Sequence, residues 1–241
     1  MFKKLKMEEI IQEIEKQAKE RSKVYRLLSM FFLKNPSNEF LKKIKDDEFL
    51  ENILRICDYG EEEFKKPVSY IKNFLESAKR NNFEDKILES LQVDFTKLTR
   101  GIKRGYGPPP PYESVWRGSS SIMSEWTEKV LRFYAEAKIG MDLEDELPDH
   151  IGIELKFMSL LCYKEMEMWN KGKIESAFEV LERENDFLKF YLLAWTPFYL
   201  NEMEKEAETD FYKGVALLTK SFLYFDKEVI EEIYSELKDL I

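Results

Sequence analysis

The chain is 241 residues long, 44% hydrophobic and 35% charged, with a formal net charge of −9. That mixture excludes a disordered segment and fits one continuous core. The acidic balance, interrupted by no basic stripe, argues against nucleic acid as a partner and favours a basic peptide.

In chain order, the N-terminal stretch MFKKLKMEEIIQEIEKQ is charged throughout and lacks a signal-peptide run, and no segment reaches membrane-spanning length. A cytoplasmic protein without direct membrane insertion is expected. Residues 8–33 carry Ile10, Ile14, Tyr25, Leu28 and Phe32 at helical spacing. Asn35-Pro36-Ser37-Asn38 stops that helix, and short helices are expected over 38–45 and 47–58. Pro67 is expected to open the next helix at its first turn, Asn81-Asn82 to break it, and an amphipathic stretch to run from Phe83 to Thr99. After the loop described below, Ser119–Ser121 are expected to cap a helix with Gly140 just past its end. The acidic connector 141–147 leads to a broad apolar helix from Pro148-Asp149-His150 to Asn170, with Asp149 as N-cap and a central position. Further helices are expected over 173–182 and 186–195, then over 197–224 after a restart at Thr196-Pro197, and finally after a cap at Asp226. The fold class is therefore all-α: a single helical-bundle domain, 1–241, of about ten helices.

The segment 101–118, GIKRGYGPPPPYESVWRG, breaks every helical pattern. Its four consecutive prolines favour a stiff polyproline II spacer, and loops of this length inside compact chains are often functional. The bland reading is that Tyr112 and Trp116 plug the core; an SH3 or WW ligand is a weaker one. Two distant cysteines, Cys57 and Cys162, and one histidine, His150, cannot compose a zinc or iron–sulfur motif. No metal, cofactor or catalytic residue is assigned, and the cysteines read as reduced core residues. A Ser114–His150–Asp149 triad can be written, but adjacent side chains on a helix diverge and no nucleophile elbow surrounds Ser114. Charge is uneven: residues 136–154 hold seven acids and one lysine, and residues 94–117 hold five bases and two acids. The acidic part would attract a cationic segment.

Two stretches, DFTKLTRGIKRGYGPPPPYESVWRG (94–118) and LPDHIGIELKFMSLL (147–161), resemble the TorD/DmsD/NarJ superfamily of chaperones for molybdenum oxidoreductases. The segment 187–218 is similar to the family's ending. The resemblance implies an all-helical cytoplasmic protein, monomer or homodimer. Its partner would be the catalytic subunit of a molybdopterin oxidoreductase, bound through the twin-arginine signal peptide or as apoprotein while its cofactor is inserted. By position it implies a client-binding role for Tyr112, Glu113, Ser114, Trp116, Pro148, Asp149, His150 and Glu154. Glu113, Asp149 and the acids of 142–146 would meet the client's arginines, and His150 would make affinity respond to pH near its ordinary pKa of about 6.5. Two positions depart from the family pattern: Leu98-Thr99-Arg100 lacks an aromatic residue, and Tyr191 stands where a histidine is common. The rival readings are a hydrolase using Asp149, His150 and Glu154, a nucleotide binder at Arg100–Arg104, and a permanent subunit of a larger complex.

Overall fold

The computed structural model describes residues 2–46, 48, 49, 51, 53, 61–81, 85–101, 105–119, 122–143 and 145–238. The described helices are α1 (Phe2–Leu33), α2 (Asn38–Lys45), α3 (Glu61–Arg80), α4 (Asp85–Thr99), α5 (Glu113–Trp116), α6 (Glu125–Ala137), α7 (Ile151–Asn170), α8 (Ile174–Phe187), α9 (Leu193–Glu206) and α10 (Asp210–Lys238). A π-helical turn, Leu188–Leu192, joins α8 to α9. The fold is an all-α bundle; among the described residues the only β feature is an isolated bridge between Tyr112 and His150. The expected helix over 47–58, with Cys57, falls mostly outside the described residues. No described helix is long and apolar enough to cross a membrane.

Helix α7 is the central element because its apolar face is broad. Ile151, Ile153, Leu155, Phe157, Met158, Leu161 and Cys162 are all fully buried, as so wide an apolar face requires. α1 lies along it. The Ser22 hydroxyl donates to the Ser159 carbonyl and the Ser159 hydroxyl to the Ser22 carbonyl, each at 2.8 Å. Gly152 lets the two helices approach: a Cβ there would stand 2.6 Å from Leu33 Cγ.

Several expected boundaries are corrected, each for a local reason. Pro67 sits inside α3 and does not open it. Ser124 caps α6, accepting from the Trp126 N–H at 3.2 Å; Ser119 lies outside the helix, and Ser120 and Ser121 lie outside the described residues. That helix ends on Lys138 in the left-handed region (φ 53°), two residues before Gly140. The break expected between 182 and 186 and the restart at Thr196-Pro197 do not occur. α8 runs through the π turn into α9, which contains Pro197. The wider turn lies directly upstream of Pro197, where the missing N–H and the ring would otherwise disturb a regular helix.

The helix expected over 197–224 breaks instead at Ala207–Thr209. The cause is Asp94 on α4, whose buried carboxylate accepts from the Glu208 N–H (3.1 Å), the Thr209 N–H (2.9 Å) and the Thr209 hydroxyl (2.7 Å). Those groups are freed at the start of α10 and would otherwise be orphaned. Asp94→Asn keeps an oxygen but withdraws the charge from the helix start. It is expected to cost about 0.5–1 kcal/mol in urea unfolding, and an unchanged midpoint would refute the cap.

Asp226 begins no helix, because α10 runs through it without interruption. It is fully buried, and its carboxylate accepts from Arg21 Nε and, at 2.6 Å, from the Tyr25 hydroxyl. The same Arg21 reaches Glu165 on α7 (3.0 Å) and Glu184 on α8 (2.5 Å). One guanidinium on α1 thus ties together α7, α8 and α10.

Candidate functional site

The loop returns on itself before it reaches α5. Gly101 (φ +56°) lies against Pro110, whose Cδ would be 2.6 Å from a Cβ at that position; both the left-handed backbone and the close approach require glycine. Pro108 and Pro111 are buried and Pro109 is exposed. Past Pro111, the chain pairs with the residues that precede α7. The Glu113 N–H donates to the Asp149 carbonyl (2.9 Å) and the Ile151 N–H to the Pro111 carbonyl (3.0 Å).

Asp149 does not cap its own helix. Its Oδ2 accepts from the Ser114 N–H at 3.1 Å, so its carboxylate and its carbonyl together satisfy two N–H groups at the start of α5. The N-cap of α7 is His150, whose Nδ1 accepts from the Gly152 N–H at 3.1 Å. That bond assigns the ring proton to Nε2. Burial pushes the His150 pKa down to about 4, against the opposing pull of Glu146. The expectation of a pH response near 6.5 is therefore corrected: His150 is a neutral cap at physiological pH. A base with a depressed folded pKa loses stability as pH falls from about 6.5 toward 4 and none above that range. His150 is the sole histidine of the chain, so its NMR ring signal reads this directly. The signal should stay flat from pH 8 to pH 5.5, and a midpoint near 6.5 would contradict the cap.

Tyr112 and Trp116 turn toward the body of the protein and are half-buried. The Tyr112 ring meets His150 edge-on at 5.1 Å, and its hydroxyl donates to Glu146 at 2.7 Å. Burial, followed by the neighbouring Glu146, raises the Tyr112 pKa. Glu146 also pairs with Arg100 at 2.9 Å, so the basic and acidic regions of the sequence meet at this corner. The Trp116 indole donates to the Pro110 carbonyl (3.1 Å), and its ring lies 5.7 Å from Tyr199. The Ser114 hydroxyl donates to the Ile122 carbonyl at 2.8 Å. With His150 occupied by Gly152 and Asp149 by Ser114, the triad that the sequence permits is not formed. Pro148 is buried, and its carbonyl accepts from Tyr134 at 2.9 Å.

Beneath the loop, Glu113, Asp149 and Glu154 are fully buried. Glu154 accepts from the Trp195 indole at 3.1 Å. Glu113 stands beside Arg117, with Nε 2.6 Å from Oε1, but the contact lies off the line of a hydrogen bond. Burial raises the Glu113 pKa to about 7 despite Arg117, with Asp149 adding to the rise. Burial and then Glu113 push Glu154 well above the ordinary carboxylate range. An acid whose folded pKa is raised loses stability as pH climbs from its unfolded value of about 4.5 toward 7, so this cluster costs stability at neutral pH.

Sequence reasoning missed the residues around this cluster. Arg117, at the last turn of the loop, also donates to the Phe190 carbonyl in the π turn, and its guanidinium lies over the Trp126 ring at 4.1 Å. Trp126 was legible only as one of an apolar helix stripe. Ile122 (43% exposed), Met123 (71%) and Phe190 (64%) belong to the segments bonded to this loop, and they present apolar side chains to solvent. Tyr191 stacks on Phe187 at 4.9 Å.

The all-α bundle holds this loop by hydrogen bonds to the start of its central helix, and apolar side chains stand exposed on the segments bonded to the loop. The family model described as nitrate reductase delta subunit matches residues 58–200, over half of the chain. The chain is 25% identical over 218 residues to the chaperone protein TorD of Vibrio parahaemolyticus, covering 90% of this chain and 97% of that one. It is 24% identical over 230 residues to TorD of Vibrio cholerae, covering 94% and 99%. It is also 32% identical over 94 residues to the chlorate reductase assembly chaperone protein of Ideonella dechloratans, covering 39% and 46%. The chain belongs to the TorD/DmsD-like family of redox-enzyme maturation chaperones, which are non-catalytic.

Proposed function

We propose that the chain acts in the cytoplasm on the catalytic subunit of a molybdopterin oxidoreductase, holding its twin-arginine signal peptide while the cofactor is inserted, before export or assembly. The observation that carries this reading is the pairing of two features at one place. A buried group of three carboxylates, Glu113, Asp149 and Glu154, lies under the loop, and the exposed apolar side chains Ile122, Met123 and Phe190 stand on the segments bonded to it. A peptide with two arginines and an apolar stretch offers the complement of both. Apolar contact would supply most of the affinity, and charge-assisted bonds would select arginine. In this reading Tyr112, Ser114, Trp116, Pro148, Asp149 and His150 act from below. They fix the loop against α7 so that the rim keeps its shape.

Titration of a synthetic peptide with an Arg-Arg pair and an apolar run tests this. Met123→Ser and Phe190→Ser alter exposed side chains, so the fold should survive. Together they should weaken binding about 10–100-fold, the equivalent of one partly buried side chain each. Equal affinity for wild type and the double variant would sink the assignment of the rim.

A further inference from the structure

Three fully buried carboxylates need positive charge or protons, and the cation in contact with one of them, Glu113, belongs to the chain itself. Arg117 follows α5, with its side chain partly exposed, and it reaches inward to Glu113. Among the described residues no donor reaches Glu113 Oε2, Asp149 Oδ1 or Glu154 Oε1, each of which could accept a hydrogen bond. The buried Thr196 hydroxyl beside Trp195 is likewise unpartnered. The Arg117–Glu113 contact itself is a single, poorly aligned approach, although guanidinium and carboxylate can form a two-bond fork. On its outer side the guanidinium is held by the Phe190 carbonyl and the Trp126 face. Lys129 lies over the same ring at 3.9 Å, so the ring holds a second cation. The cluster therefore offers more acceptors than its resident guanidinium uses.

We propose that the buried group Glu113, Asp149 and Glu154 is a guanidinium site, and that Arg117, in contact with Glu113, is its built-in occupant, displaced when an arginine of the client enters. The displacement half of this inference rests on the peptide-binding reading above; the guanidinium site does not. Arg117 is suited to leave. It lies just past a helix of four residues, precedes Gly118 in the left-handed region (φ +82°), and is already partly in solvent. An occupant tethered next to its site competes at high effective concentration, so the affinity for an incoming arginine is scaled down by the fraction of time the site stands open.

The test uses Arg117→Ala, with Arg117→Gln as the milder form should alanine prevent folding. The first probe is methylguanidinium at millimolar concentration, followed by thermal unfolding. The variant should gain about 2–4 °C while wild type is unchanged, methylammonium should have no comparable effect, and adding Glu113→Gln should abolish the gain. The second probe is the Arg-Arg peptide, which should bind the variant about 10-fold or more tighter than wild type, with a Lys-Lys version gaining far less. A variant indifferent to methylguanidinium, or stabilised equally by methylammonium, overturns the guanidinium site. If the peptide binds wild type and variant alike, Arg117 is no competitor, while the peptide-binding reading stands. If methylguanidinium stabilises the variant but no peptide binds either protein, the guanidinium site stands and the peptide-binding reading fails.

Discussion

Arg21→Ala is expected to destabilise the protein by about 3–5 kcal/mol, the usual cost of removing one partner from a buried ionic group. The loss would be read as a lowered urea midpoint. Three carboxylates from three helices, Glu165, Glu184 and Asp226, would remain buried without their cation. Other hydrogen bonds would not replace it. The Trp169 indole donates to Glu165 (2.8 Å) and the Tyr25 hydroxyl to Asp226 (2.6 Å), but neither brings charge. Burial opposes the charge of Arg21, yet Asp226 and the neighbouring acids outweigh it and hold the guanidinium firmly ionised. Burial and then the repulsion of Glu165 already push Glu184 above the usual carboxylate range, and burial does the same to Glu165. In the variant these acids would take up protons more readily when folded than when unfolded. The sign follows: its stability should fall as pH rises, so the gap to wild type should be wider at pH 8 than at pH 5. A gap that does not change with pH would mean that packing, and not charge, is what Arg21 supplies. Arg21→Lys should fall between the two, because a single ammonium cannot span the three acids that the guanidinium fork reaches.

Asp149→Ala should cost about 1–3 kcal/mol, the range for leaving a buried donor unpaired, because the Ser114 N–H loses its acceptor. The effect should be concentrated in the loop. Limited proteolysis should cut residues 105–119 in the variant faster than in wild type, while the helical circular dichroism stays intact. Asp149→Asn should behave differently. Its oxygen can keep the Ser114 N–H, and its amide would bring a donor to a group in which both Glu113 oxygens and Glu154 Oε1 lack one. It should be at least as stable as wild type at pH 8. An asparagine variant as damaged as the alanine one would show that the charge of Asp149 is needed in place.

These two residues also mark the limits of the sequence. The all-α class and most helices follow from apolar spacing and from a chain poor in breakers, and the central place of α7 follows from its broad apolar face. The loop at 101–118 stands out because glycine and proline forbid a helix there, and its pairing with Pro148-Asp149-His150 was carried by the family resemblance. Those features are local, or repeat with a short period, so a linear reading captures them. The roles of single polar residues were misjudged wherever the partner is distant in sequence. Asp226 has the composition of a helix cap but serves Arg21, 205 residues away. Asp149 precedes a helix but caps another one, and His150 takes its place. Asp94 breaks a helix that begins 99 residues after it, at Leu193. Arg117 was one basic residue in a basic stretch until the fold set it against the buried Glu113. A buried charge must find its complement wherever packing places one. The sequence therefore determined where this chain is helical and which loop is unusual, and only the tertiary structure decided which acids face which cations.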